Sequence, residues 1–307
     1  MNVTKLGAID IGSNSVRCLI SNVVHKDGYT YYRKVSMIRL PIRLGQEVFL
    51  NGAVSEETAA LFTEGMQAYK HLLKVHGVQD FRAVATSAMR EAANGAELVK
   101  KIRESTGIDI QIIDGAEEAR LVFNSKLYDI IQAPQKYFIY IDVGGGSTEL
   151  SILHNQVVIS SESFKIGGVR IMNGLDTEEE WLRMKKWTIH HMRNFRNKAA
   201  IGAGGNINKL HKLSLYSLNK ALGLSYIKDQ YDMINALDVE ERITQLGLNF
   251  DRADIIVHAL PIYMKVMQWA GIGKVYVPKI GVSDGLIRDL YHKDYKDKVE
   301  GQQSSAI

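Results

Sequence analysis

The chain has 307 residues, of which 46% are hydrophobic and 23% charged, a composition typical of folded globular proteins. Lysine and arginine number 38 against 34 acidic residues, and this net charge of +4 is too small for a nucleic-acid coat or a polybasic membrane anchor. The single cysteine, Cys18, excludes an intrachain disulfide and a cysteine-rich zinc site.

No apolar run approaches the roughly 20 residues of a membrane span, and the N-terminal residues lack the apolar core of a signal peptide. We therefore expect a soluble, cytoplasmic protein that binds neither membranes nor nucleic acid. At roughly 100–200 residues per domain, the length predicts about two domains.

Strand and helix patterns alternate along the first part of the chain, which indicates an α/β architecture. The predicted strands are Leu6–Ile11, Ser15–Val24, Tyr29–Leu40, Phe81–Thr86 and Ile110–Ile113. The predicted helices run from Ser55 to about His76, over Asn94–Thr106 and over Ala116–Asp129.

The second part of the chain repeats the strand-rich opening and then becomes mostly helical. The predicted strands are Tyr137–Val143, Glu149–Leu153, Val157–Phe164, Ala199–Ile201 and Lys274–Val277. Thr177 and Glu180 form a capping-box pattern ahead of a long helix. A mostly helical stretch follows over Ile207–Ala270, and a last helix is predicted over Leu286–Lys293.

An internal repeat is the most informative feature of the sequence. Residues 9–20 spell IDIGSNSVRCLI and residues 141–152 spell IDVGGGSTELSI, an offset of 132 residues. Both segments begin with Ile-Asp, have glycine at the fourth place and serine at the seventh, and end in isoleucine. A repeat at this distance predicts two domains of related topology instead of a solenoid.

The repeat also predicts a chemistry. In each copy a strand brings an aspartate, Asp10 or Asp142, to a turn of glycine and small residues. Consecutive backbone N–H groups in such a turn bind phosphate oxygens, and the neighbouring carboxylate suits Mg²⁺ held between protein and phosphates. We expect the two loops to face each other across a cleft and to hold a chain of phosphates.

Either loop alone is also compatible with an ordinary β-turn, but two matching loops with matching strands favour the repeat. Neither loop is a Walker A sequence, because neither has a Lys-Ser or Lys-Thr after its glycines. Neither fits the Rossmann spacing, because Glu149 stands where the third glycine would be.

With these residues in view, the chain resembles the superfamily of acetate and sugar kinases, heat-shock-70 proteins and actin. Within it, the chain is similar to the Ppx/GppA family of exopolyphosphatases and guanosine pentaphosphate phosphohydrolases, in its short, two-domain form. The motifs that carry this resemblance are DIGSNSVR at 10–17, ATSAMREAANG at 85–95, DGAEEARL at 114–121, DVGGGSTEL at 142–150, GGVRI at 167–171, GAGGNINKL at 202–210 and GVSDGLIRDL at 281–290.

The resemblance implies an α/β fold of two ribonuclease H-like, actin-like ATPase domains with a central interdomain cleft. The first domain would comprise residues 1–125 together with a returning C-terminal helix at about 290–307, and the second residues 126–289.

The resemblance also assigns roles to residues. It makes Glu118 the catalytic base, and Asp142 and Glu149 the metal and water-handling acids. Asp10 joins Asp142 and Glu149 as a ligand of Mg²⁺ or Mn²⁺. The implied phosphate-binding residues are Gly12, Ser13, Asn14, Arg17, Arg90, Gly144, Gly145, Gly146, Ser147, Gly204 and Gly205.

Each of the following residues could instead have a purely structural role. Glu117 and Glu118 suit the first turn of any helix, Glu149 could be a solvated strand residue, and Arg90 could lie on the surface. The basic segment 183–198 is either a solvated helix face or a track for a polyanion. The histidines are not at metal-ligand spacing.

The expected function is stepwise or processive removal of terminal orthophosphate from inorganic polyphosphate. One alternative is the same hydrolysis on guanosine pentaphosphate. Others are a kinase of this fold and a non-catalytic sensor that binds guanosine tetraphosphate or polyphosphate. A homodimer is a further expectation.

Overall fold

The computed structural model describes residues 2–123, 134–155 and 157–295. The chain divides into two compact units, Met1–Ser125 with Gly281–Ile307, and Lys126–Ile280. The segment that returns to the first unit thus begins at Gly281, where the sequence had placed the return at about 290. Each unit contains one mixed β-sheet with flanking helices.

The sheet of the first unit has the strand order β3-β2-β1-β4-β5. Its strands are β1 (Asn2–Ile11), β2 (Val16–Lys26), β3 (Tyr29–Leu40), β4 (Asp80–Ala85) and β5 (Ile110–Ile112). The first three form an antiparallel meander, and β4 and β5 run parallel to β1. The described helices of this unit are α1 (Leu44–Asn51), α2 (Glu56–Val75), α3 (Ser87–Glu91), α4 (Gly95–Thr106), α5 (Gly115–Phe123) and α13 (Val282–Asp294).

Helix α2 shows how the sequence forms this unit. Ser55 caps it by accepting a hydrogen bond from the Thr58 N–H. Phe62, Met66 and Tyr69 recur at helical spacing and are buried in the same apolar cluster as the strands. Burial of each such side chain stabilises the fold by about 1.5–3 kcal/mol.

The sheet of the second unit has the order β10-β11-β9-β6-β7-β8. Its strands are β6 (Tyr137–Val143), β7 (Thr148–His154), β8 (Val157–Phe164), β9 (Lys198–Ala203), β10 (Leu222–Gly223) and β11 (Lys274–Tyr276). Its described helices are α6 (Gly168–Met172), α7 (Glu178–Met192), α8 (Gly205–Leu213), α9 (Leu224–Ala236), α10 (Val239–Thr244), α11 (Phe250–Ala253) and α12 (Ile256–Trp269).

The two sheets share one topology, and the internal repeat marks its starting point. In each, an antiparallel three-stranded meander begins with the repeat, and a later strand pairs parallel to the first strand of the meander. The predicted duplication of an α/β unit is therefore confirmed.

Several local predictions differ from the structure. Helices α1, α3 and α6 were not predicted, because each is short and begins within four residues of the end of a strand. Helix α13 begins at Val282 instead of Leu286, since Asp284 closes its first turn on the Gly281 N–H. The predicted helix 116–129 is described only as far as Phe123, and its remainder lies outside the described residues.

The predicted capping box before α7 forms only in part. Thr177 accepts from the Glu180 N–H, but the Glu180 carboxylate accepts from the Lys165 N–H. In the part of the chain that the structure describes, no helix combines the length and hydrophobicity that crossing a membrane requires.

Candidate active site

The first repeat forms a tight hairpin between β1 and β2. Asp10 lies directly opposite Arg17 in the register of the two strands, so their side chains share one face of the sheet. The Gly12 N–H closes the turn by donating to the Ser15 carbonyl at 3.1 Å. The Ser13 carbonyl accepts from the Gly45 N–H at 2.8 Å, which fixes the turn against α1.

The carboxylate of Asp10 is nearly inaccessible to solvent, with 8% of the residue exposed. Burial raises the pKa of this carboxyl, and the Arg17 guanidinium at 3.7 Å opposes that rise. Arg39 on β3 lies opposite Arg17 in the register of β2 and β3, so its side chain is on the same face of the sheet. Arg39 was not predicted as a site residue, because its place two strands from Asp10 follows only from the register.

The carboxyl ends of the parallel strands β1, β4 and β5 meet at one edge of the first sheet. Ser87, just after β4, shares a hydrogen bond of 2.8 Å with the Ser13 hydroxyl of the first turn. Arg90 reaches the end of β5 and donates to the Ile113 carbonyl at 2.7 Å. The predicted phosphate-binding residues Gly12, Ser13, Asn14, Arg17 and Arg90 therefore all lie in the first unit, on the first turn, the start of β2 and helix α3.

Helix α5 presents Glu117 and Glu118 at the same edge. The Asp114 side chain accepts from the Glu117 N–H at 2.8 Å and caps the helix. The Glu117 carboxylate is bound on both oxygens by Arg120, at 2.6 and 2.8 Å. Glu117 is thus engaged in an ion pair within α5. The neighbouring Glu118 is half-buried, and its side chain leaves the helix about 100° around the axis from that of Glu117.

The second repeat builds the matching hairpin between β6 and β7, with a different charge pattern. Asp142 lies opposite Glu149, so two carboxylates stand where the first hairpin has a carboxylate and a guanidinium. The Gly144 N–H donates to the Ser147 carbonyl at 3.0 Å, the same turn closure as in the first repeat. Tyr140 donates its hydroxyl hydrogen to Asp142 at 3.0 Å.

Glu149 is buried, with 3% of the residue exposed, which rules out the alternative of a solvated strand residue. One of its oxygens accepts two hydroxyl hydrogen bonds, from Ser147 at 2.6 Å and from Ser163 at 3.0 Å. Those bonds hold the carboxylate in one orientation beside the glycine turn.

The glycine turn is oriented by its contacts with α6. The Gly144 carbonyl accepts from the Gly168 N–H at 3.0 Å, and the Gly145 carbonyl accepts from the Val169 N–H at 2.8 Å. The Gly146 carbonyl accepts from the Arg170 side chain at 2.6 Å. Because a trans peptide points its N–H opposite to its C=O, the N–H groups of residues 145–147 face away from α6. This row of N–H groups is suited to binding an anion.

The third glycine loop lies beside Asp142. In the parallel register of β6 and β9, Asp142 is level with Ala203, the last residue before Gly204. A Cβ atom on Gly204 would lie 2.7 Å from the Val143 carbonyl, and the backbone φ there is +104°. Only glycine fits this close approach, which brings Gly204 and Gly205 next to the second hairpin.

Two further residues at this loop escaped the sequence analysis. Tyr263, which is fully buried, donates its hydroxyl hydrogen to the Ala203 carbonyl. Burial, together with the nearby Asp142 charge, raises the pKa of Tyr263. The Arg252 guanidinium lies over Gly205, 2.9 Å from where a Cβ would be. Both come from distant helices and carry no local sequence signal.

The carboxylates of the second hairpin are candidate ligands for a divalent cation. Among the described residues, no group of three or more acids, histidines or cysteines is arranged to hold a metal ion. The Asp142–Glu149 pair nevertheless fits Mg²⁺, which proteins commonly bind through one or two carboxylates while water and substrate phosphates complete its shell.

The basic segment 183–198 is only in part a free cationic face. Arg183 is held by Glu180 at 2.9 Å and Glu162 at 2.6 Å, and it also lies over the Phe164 ring. Lys198 donates to the Met192 carbonyl at 2.8 Å. These two cations serve the packing of α7 and β9.

Comparison with known proteins identifies the family of the chain. The model of the Ppx/GppA phosphatase family matches residues 23–294. The chain belongs to this family. It is 33% identical to exopolyphosphatase 2 of Mycobacterium tuberculosis over 180 residues, which cover 56% of this chain and 54% of that protein. It is 24% identical over 292 residues to a bifunctional 3-dehydroquinate synthase/phosphatase of Fusobacterium nucleatum, covering 86% of this chain and 43% of that protein. The chain thus spans about half the length of the curated relatives it matches.

Solved structures of this family have the same fold. A Ppx/GppA family member from Aquifex aeolicus has a TM-score of 0.75 at 25% identity, covering 96% of this chain and 99% of that one. An exopolyphosphatase from Cytophaga hutchinsonii has a TM-score of 0.81 at 22% identity, covering 94% and 98%. The fold is therefore the two-domain, actin-like ATPase fold that the sequence predicted.

Proposed function

We propose that the protein hydrolyses the terminal phosphoanhydride bond of inorganic polyphosphate and releases orthophosphate. The observation that carries the proposal is the second hairpin. There, a row of backbone N–H groups at residues 145–147 adjoins two carboxylates, Asp142 and Glu149. Membership of a phosphatase family and the similarity to an exopolyphosphatase support the choice of substrate.

Phosphate binding relies mainly on backbone groups. The N–H groups of Gly145, Gly146 and Ser147 would donate to non-bridging oxygens, while the Ser147 hydroxyl stays on Glu149. In the first unit, the turn at Gly12–Asn14 and the guanidinium groups of Arg17 and Arg90 are further donors suited to phosphate oxygens. The close packing at Gly204 brings the third glycine loop next to Asp142.

Asp142 and Glu149 would hold Mg²⁺ or Mn²⁺. When bound, such an ion neutralises the negative charge that develops on the phosphoryl oxygens. The serine hydroxyls on Glu149 keep its carboxylate directed toward the turn instead of rotating freely.

Glu118 serves as the general base in this proposal. Its carboxylate accepts a proton from a water molecule as the water oxygen attacks the terminal phosphorus. The bond from that phosphorus to the bridging oxygen breaks, and the electron pair stays on the shortened chain. One orthophosphate leaves per turnover.

Orthophosphate release from long polyphosphate, short polyphosphate and guanosine pentaphosphate, each with Mg²⁺, tests the proposal. We expect turnover of polyphosphate, and a loss of roughly 10²–10⁴ in kcat for Glu118→Gln. Glu97→Gln is the matched control, because Glu97 is an exposed helix acid that pairs with Lys101 at 2.9 Å. It should retain the wild-type rate.

Three results would contradict parts of this account. No orthophosphate release from any of the three substrates would refute a hydrolase. A wild-type rate in Glu118→Gln would refute the assignment of the base. A kcat/KM for guanosine pentaphosphate above that for both polyphosphates would transfer the substrate assignment to the guanosine nucleotide.

A further inference from the structure

Helix α5, which carries Glu118, is in unusually close contact with the returning helix α13. Gly285 of α13 lies against the α5 backbone, and a Cβ atom added there would be only 1.8 Å from the Leu121 carbonyl oxygen. Two helices that touch through their backbones leave no space for either to shift. The C-terminal segment therefore limits the position of the helix that bears the proposed base.

A chain of ion pairs also joins the two helices. Arg120 of α5 binds Glu117 through two nitrogens and donates its third, Nη1, to Asp289 of α13 at 3.0 Å. The other oxygen of Asp289 accepts from Arg82 on β4 at 2.5 Å. Arg82 in turn donates to Gln111 on β5 at 3.1 Å. Both oxygens of Asp289 are thus engaged, one by the helix and one by the sheet.

This chain of contacts determines the rotation of α5 about its axis. Neighbouring residues of an α-helix point about 100° apart, so the direction of Glu117 sets that of Glu118. Glu117 is held by Arg120, and Arg120 is anchored to the sheet through Asp289. An ion pair between two surface residues of one helix would not fix the rotation, but a connection to two strands does.

We propose that Asp289 is a positioning residue for hydrolysis: through Arg120 and Glu117 it fixes the orientation of the Glu118 carboxylate. The inference rests on the proposed role of Glu118 as the general base. Asp289 itself touches neither substrate nor metal in this proposal; it acts only through α5.

The carboxylate charge of Asp289 is essential to this role. Although burial raises its pKa, the hydrogen bond and charge of Arg120 and the charge of Arg82 outweigh that effect and lower it. In Asp289→Asn, one oxygen is replaced by an NH₂ group, which cannot accept from either arginine. One of the two links, to the helix or to the sheet, is then lost.

The test compares Asp289→Asn with the control Lys34→Gln. Lys34 of β3 forms an ion pair with Asp284 of α13 at 2.8 Å, so it links that helix to the sheet at a different position. We expect kcat on polyphosphate to fall roughly 10- to 100-fold in Asp289→Asn, because small misplacement of a catalytic group costs up to that factor. KM should change less than about twofold, since phosphate contacts are untouched. Lys34→Gln should retain the wild-type kcat.

Three further experiments separate positioning from general damage. In a Glu118→Gln background, Asp289→Asn should reduce kcat no further, whereas structural damage would add to the loss. Amide hydrogen exchange at residues 116–121 should accelerate in Asp289→Asn but not in Lys34→Gln. Arg120→Lys, which keeps the charge but loses the planar fork, should reproduce the kcat loss, and Asp289→Glu should recover part of it.

The outcomes distinguish this inference from the proposed function. If Glu118→Gln lowers kcat but Asp289→Asn matches the Lys34→Gln control, positioning by Asp289 is wrong and the base assignment stands. If the losses from Asp289→Asn and Glu118→Gln are additive, Asp289 does not act through the base. If Glu118→Gln retains the wild-type rate, the base assignment fails, and this inference fails with it.

Discussion

Replacement of Gly167 by alanine tests the role of α6 in orienting the glycine turn of the second hairpin. A Cβ at this position would lie 2.4 Å from the Gly145 carbonyl oxygen and 2.7 Å from the Gly146 carbonyl carbon. Both neighbours are backbone atoms, so no side-chain rotation relieves the clash. The backbone of Gly167 is extended at φ −155°, so conformational strain contributes nothing.

The expected magnitude follows from that distance. Ordinary carbon contacts begin near 3.5 Å, so the turn and α6 must separate by about 1 Å. Overpacking of this kind typically costs about 1–3 kcal/mol in the free energy of unfolding. The same shift weakens the Gly168 and Val169 N–H bonds to the turn, at 3.0 and 2.8 Å. Since 1 Å of misplacement costs up to about 10² in rate, we expect kcat/KM to fall roughly 10- to 100-fold.

Urea denaturation and orthophosphate release from polyphosphate measure the two effects. Gly273→Ala is the matched control in the same unit, because no atom lies within 4 Å of an added Cβ there and its φ is not left-handed. Its stability should stay within about 0.5 kcal/mol of wild type. If Gly167→Ala keeps both the stability and the kcat/KM of the control, α6 does not orient the turn.

Three other predictions concern buried groups. Asp10→Asn should be more stable than wild type at neutral pH, yet less active. Because burial raises the pKa of Asp10 in the folded state, wild-type stability should fall as pH rises through that raised pKa. The variant should lack this slope in urea unfolding, and identical pH profiles would contradict the argument. Burial raises the pKa of Cys18 to about 12, so native protein near pH 8 should resist iodoacetamide and unfolded protein should react. Rapid labelling of the native state would show that Cys18 is accessible. Glu149→Gln should keep the hydroxyl hydrogen bonds from Ser147 and Ser163 while raising the Mg²⁺ concentration for half-maximal hydrolysis. An unchanged Mg²⁺ titration would remove Glu149 from the metal site.

The sequence alone determined the fold class and the position of the two turns. The repeat at residues 9–20 and 141–152 predicted two related units, and the structure gives both the same strand pairing and the same turn hydrogen bond. Strands β3, β6 and β8 have the predicted bounds, because each contains β-branched and aromatic residues and follows a turn. That two hairpins share one phosphate chain, and that Glu118 is the base, stay predictions.

Only the tertiary structure decided which side chains from other elements contact the site residues and fix their positions. The sequence places Glu149 and Ser163 in different strands, and the register alone brings Ser163 onto the Glu149 carboxylate. Asp289 reaches Arg120 across 169 residues of chain, and Tyr263 reaches the loop before Gly204 across 60. Contacts of this kind cannot be predicted from the hydrophobic periodicity of a single element, because they depend on how different elements pack against one another.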